Sequence, residues 1–163
     1  MGNTEAGGIS GMMRELRLTL NEVFSGGKLE PEQELTVQVL FGLLGYLANI
    51  DSIVTDHEVQ LINSLMDELE LPIQARQRAL EVLGKGLRKQ IDVGEEITRY
   101  LKTFPAGGAE VEFLYNSLLK LAASDGRIRP REREFLQEVT VRLGYTAEDL
   151  ETRLTRYMPT GEV

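Results

Sequence analysis

The stretch LAASDGRIRPREREFLQEVTVRLGY, residues 121–145, decides how this chain is read, because a related stretch precedes it in the chain. Its counterpart is LANIDSIVTDHEVQLINSLMDELEL, residues 47–71. Aligned, Leu47 meets Leu121, Ala48 meets Ala122, Asp51 meets Asp125 and Val54 meets Ile128. Glu58 then meets Glu132, Ile62 meets Leu136, Leu65 meets Val139 and Leu69 meets Leu143. The apolar matches are those any two helical hairpins would share. The Asp and the Glu, at the same Asp-x6-Glu spacing in both copies, are not explained by core packing. Two copies do not make a solenoid; they predict a pseudo-symmetric pair of helical hairpins inside one bundle.

From Asp125 the second copy reads D-G-x-I-x-x-x-E, the ending of an EF-hand calcium loop. The beginning of that loop is missing. Its first and third positions would fall on Leu121 and Ala123, whose side chains carry no oxygen, and on Leu47 and Asn49 in the first copy. A single loop therefore makes no calcium cage, and any cation site has to be shared between the two copies. The competing reading is that both motifs are helix starts. Glu58 lies three residues after Thr55, as in a capping box, and Glu132 follows Pro130 in a first turn. Gly126 would supply a left-handed turn, Asp51 and Asp125 would accept turn hydrogen bonds, and Val54 and Ile128 would plug the core. Ser52 stands where the second copy has Gly126.

Outward from the repeat, the apolar pattern is helical throughout, with no sustained alternation of period two. Ile9 to Phe24 is modestly amphipathic. EPEQELTVQVLFGLLGYLA (30–48) carries Pro31 and acidic residues at its start and a strongly apolar second half. Further helices are expected after Thr55, from Pro72, after Asp92 (with Asp92-x-x-Glu95 as cap), in GAEVEFLYNSLLKLAAS (108–124), from Pro130 to Gly144, and after Thr146. The fold class is all-α: a single-domain bundle of seven to eight helices. The domain is expected to span residues 11–158, with residues 1–10 and 159–163 mobile. The aromatic residues Phe41, Tyr46, Phe113, Tyr115, Phe135 and Tyr145 fall at helical spacing and read as core or groove lining.

Composition excludes several functions. The chain of 163 residues carries a formal charge of −8, which argues against nucleic acid and favours cations or basic partner surfaces. It has no cysteine and one histidine, His57, so thiolate zinc sites, thiol nucleophiles and multi-histidine metal centres are all out. His57 itself reads as a solvated surface residue. Arg127, Arg129, Arg131 and Arg133 interleave with Glu132 and Glu134 and read as a salt-bridged surface. The GKG at Gly84 to Gly86 lacks phosphate-loop spacing. The N-terminus has no export signal, and the longest apolar run, Val39 to Ile50, is short of the roughly 20 residues a membrane span needs. The expectation is a cytoplasmic protein that is not an enzyme.

FGLLGYLANIDSIVTDHEVQLINSLMDEL and LLKLAASDGRIRPREREFLQEVTVRLG together resemble the TerB-like family. That family comprises the helical domain of tellurite-resistance proteins and the region between the membrane anchor and the J domain of the chaperone DjlA. The resemblance covers about Glu34 to Tyr157. It implies an all-helical module of a stress-response or tellurite-resistance type, whose acidic motif positions, here Asp51, Glu58, Asp125 and Glu132, would bind a divalent cation (Ca²⁺ or Mg²⁺) or a protein partner. The chain has no His-Pro-Asp tripeptide, so a J domain's stimulation of its chaperone is not implied. The alternative is an interaction or co-chaperone-like adaptor without metal, its acidic motifs serving only as caps.

Overall fold

Residues 36–47 contain no charged side chain, and a helix without a polar stripe has no face to give to water. In the computed structural model this segment belongs to helix α1 (Pro31–Ala48), with Thr36, Val37, Leu47 and every residue from Val39 to Gly45 buried. The structure describes residues 30–50, 73–123 and 126–158. Around α1 stand α2 (Ile73–Leu87), α3 (Val93–Thr103) and α4 (Ala109–Ala123), each in contact with it. Helix α5 (Pro130–Arg142) packs on α3 and α4, and α6 (Ala147–Tyr157) packs on α4 and α5.

The described residues thus form six helices and no strand, the fold class the periodicity predicts. The expected helices over Ile9 to Phe24 and after Thr55 lie outside the described residues, as do both expected mobile termini. So does much of the first copy of the repeat, on which the pseudo-symmetric pairing and the count of seven to eight depend.

Local chemistry sets the helix boundaries where the sequence places them. Asp92 accepts the Glu95 N–H at 3.0 Å and starts α3. Thr146 and Asp149 exchange reciprocal bonds at 3.0 and 2.9 Å and start α6. Helix α1 begins with Pro31 and with Gln33 reaching back to the Glu30 N–H at 2.9 Å. Gly144, at φ +94°, ends α5.

The closest packing joins α1 to α2. A Cβ built on Gly45 would lie 2.5 Å from the Leu83 carbonyl oxygen and 2.9 Å from the Leu87 nitrogen. One built on Gly86 would overlap the Gly42 carbonyl oxygen and lie 2.9 Å from the Tyr46 nitrogen. The two backbones therefore meet directly. Glycine costs about 1 kcal/mol in a helix interior, and here the cost is offset by contact no other residue permits. The C-terminal ends are pinned as well: buried Asn49 donates its Nδ2 to the Leu87 carbonyl at 2.6 Å, and Lys89 reaches the Ile50 carbonyl at 3.3 Å.

Two glycines of one helix should consequently respond in opposite directions. Gly86→Ala should lower stability by about 2–3 kcal/mol, because backbone rather than a flexible side chain must give way. At Gly84 a Cβ meets only the Arg88 guanidinium at 3.4 Å. Gly84→Ala should therefore raise stability by about 0.5–1 kcal/mol. Urea midpoints of the two variants decide it; equal midpoints would refute the backbone contact.

Candidate functional site

Of the four acidic motif residues, only Glu132 lies among the described residues; Asp51, Glu58 and Asp125 lie outside them. Gly126, beside the motif, adopts φ +81° and bonds its N–H to the Ala123 carbonyl at 3.0 Å, the left-handed turn expected of it. The chain then runs extended through Arg129 into Pro130. Ile128 packs half-buried against the core. Glu132, in the first turn of α5, accepts the Arg129 N–H on Oε1 at 2.9 Å. Gln33 makes the same bond at the start of α1, also after a proline. At Glu132 the helix-start reading is therefore the observed geometry. Of the neighbouring arginines, Arg133 pairs with Glu151, in keeping with a salt-bridged surface. Among the described residues no group of three or more His, Cys, Asp or Glu side chains could hold a metal ion.

Two constellations were not legible in the sequence. The first is a polar network between α4, α5 and α6. Arg153 grips Glu112 with two parallel hydrogen bonds of 3.0 Å and donates to Asn116 at 2.9 Å. Tyr145 donates to the same carboxylate at 2.6 Å and stacks on Tyr115, ring centroids 4.5 Å apart. The guanidinium lies 4.6 Å and 5.1 Å from those two ring centroids. The Arg153 bond, then the Tyr145 bond, hold the Glu112 carboxyl below the usual carboxylate range. Tyr115 closes the network against Thr140 at 2.7 Å, whose hydroxyl bonds the Leu136 carbonyl. Every polar group is answered within the cluster, so it holds helices together and presents nothing to a ligand.

The second is a groove of ≈ 300 Å³ where the start of α1, the end of α3 and the start of α4 converge. Its floor is aromatic. The buried Tyr100 hydroxyl donates to the Glu110 carbonyl at 3.2 Å and lies 3.0 Å from the Thr36 hydroxyl. Phe104 is buried beside it, ring centroids 4.7 Å apart, and Phe113 stands half-buried at the edge. Glu32 and Glu110 complete the lining. Of these aromatics the sequence singled out only Phe113, as core or groove lining; packing buries Tyr100 and Phe104 and leaves Phe113 partly open.

The fold is an all-helical module whose described residues assemble no metal cluster. The family model for tellurite resistance protein TerB matches residues 38–154, and the chain belongs to that family. Its similar proteins include co-chaperone proteins DjlA from Vibrio parahaemolyticus (29% identical over 75% of this chain and 43% of that one) and from Aliivibrio fischeri (30% over 70% and 40%). The DjlA of Vibrio cholerae is 27% identical over 80% of this chain and 46% of its own. The chain thus spans less than half the length of these relatives. No solved structure matches it. Among the described residues no helix is long and apolar enough to cross a membrane.

The groove floor leaves a signature at high pH. Burial pushes the Tyr100 hydroxyl up to about 12. A group whose folded pKa is raised keeps its full stabilising effect below its unfolded value, near 10, and loses it as pH rises toward the folded value. Wild-type stability should therefore fall more steeply between pH 10 and 12 than that of Tyr100→Phe, by about 1.4 kcal/mol per pH unit. Parallel stability curves from urea unfolding would overturn the assignment.

Proposed function

We propose that this TerB-family chain is a non-enzymatic module that works by binding a protein partner, in a chaperone-linked or tellurite-related stress response. Its acidic motifs, in this reading, serve helix starts. The observation that carries it is Glu132, whose carboxylate caps the Arg129 N–H. The neutral Gln33 does the same work in α1, so the bond needs no cation and no acid. The relatives' description as co-chaperones supports a role exercised through another protein. The same reading puts the chain in the cytoplasm, in line with its lack of cysteine. Photo-crosslinkers placed at exposed positions should give a discrete hetero-adduct in cells that survives a metal chelator. Monomer alone from every position would overturn the proposal.

A second reading is favoured by the recurrence of Asp-x6-Glu: a Ca²⁺ or Mg²⁺ ion shared by Asp51, Glu58, Asp125 and Glu132. Oxygen-rich carboxylate sets suit these hard ions. Calorimetric titration with Ca²⁺, Mg²⁺ and Zn²⁺ separates the readings. On the partner reading neither heat nor a Tm shift appears at millimolar ion. A site filled to 100 times its Kd would instead stabilise the fold by about 2.7 kcal/mol. That gain would vanish in Asp125→Asn/Glu132→Gln.

A further inference from the structure

We propose that the groove between α1, α3 and α4 is a docking site for a peptide segment that carries a lysine or arginine beside a large apolar residue. The inference deepens the partner-binding reading and rests on it. Its first support is charge. Glu32 and Glu110 both line the groove, and no Lys, Arg or His does. Among the described residues neither carboxylate takes part in an ion pair or side-chain hydrogen bond, whereas the acidic side chains Glu96, Glu112, Glu138 and Glu151 each have an arginine. Two unpaired carboxylates on one groove, in a chain of charge −8, attract a cation and repel phosphate, nucleic acid and anionic lipid. Two carboxylates alone are too few for a calcium cage, which takes six to eight oxygens.

The second support is the floor. Tyr100, Phe104 and Phe113 place aromatic surface beside the carboxylates. The hydroxyl of Tyr100 is already spent on Thr36 and the Glu110 carbonyl. Tyr100 and Phe104 are buried beneath the groove, so the accessible ring is that of half-buried Phe113, which offers apolar and ring-face contact to an aliphatic side chain with a cation beside it. A volume of ≈ 300 Å³ admits a side chain or two, not a folded domain. The larger depression, ≈ 450 Å³ beside Asp92 and Gly94, has no such bias. Its Arg99 and Arg142 are paired with Glu96 and Glu138, and its charges are mixed.

The test is a ¹H–¹⁵N NMR titration of the full chain with a capped Lys-Leu-Phe-Lys peptide. Glu-Leu-Phe-Glu and Lys-Ser-Ser-Lys serve as controls. Saturable shifts are expected at the amides of Glu32, Thr36, Tyr100, Glu110 and Phe113, with little response to either control. Glu32→Gln/Glu110→Gln should weaken binding roughly fivefold or more with only a small fall in Tm, since both are exposed first-turn carboxylates. No shifts in the groove, equal binding of the acidic peptide, or an unaffected double variant would each overturn the proposal. Shifts confined to another face would remove the groove and leave the partner reading standing; failure of crosslinking as well would remove both. Shifts at these amides that grow with chain concentration alone would give the groove to a second copy of the chain, and so also overturn it.

Discussion

Everything described here depends on the place where α1 and α2 touch through their backbones. Gly45 and Gly86 have no side chain to hold the helices apart, and a methyl group at either would run into main-chain atoms. Once the two axes are this close, Asn49 reaches the Leu87 carbonyl and Lys89 reaches that of Ile50, so the C-terminal ends are fixed together. The apolar second half of α1 is then enclosed, with α3 and α4 packed along it. A glycine pair of this kind trades helix propensity for contact area, and the trade is favourable only where the partner backbone is present.

The other half of the bundle is held by a different kind of force. Between α4 and α6 the tie is polar: Arg153, Glu112, Tyr145 and Asn116 answer one another, with the stacked tyrosines as packing. Arg153 is 16% exposed and Glu112 37%, so water screens part of their attraction. The network's value lies in geometry, because a two-pronged arginine bond fixes how α6 lies on α4. Apolar contact without side chains on one side and fully satisfied polar contact on the other leave the groove between α1, α3 and α4 as an edge that neither closes.

The chain belongs to the TerB family, and its likeness to co-chaperones supports the partner-binding proposal. Glu132 shows how an acidic motif arises from helix-start chemistry: a proline at the first position, an acceptor two residues later, and a backbone N–H that needs a partner. The groove shows the reverse, two first-turn carboxylates without an ion pair that face one depression.

Among the described residues, the sequence by itself determined the helices and several of their ends. Asp92, Thr146, Pro31, Pro130 and Gly144 act on their immediate neighbours, and interactions between residues three or four apart need no tertiary context. It also marked the second half of α1 as strongly apolar, the part the fold buries. The family was legible for the same reason, its motif lying in short contiguous segments. Only the tertiary structure decided which glycines bear on a second backbone: Gly45 and Gly86 do, while Gly84 faces only a flexible arginine. It alone brought Glu32 and Glu110 onto one groove, Thr36 beside Tyr100, and Arg153 onto Glu112. These partners lie far apart along the chain, and no local periodicity encodes which face of one helix meets which face of another.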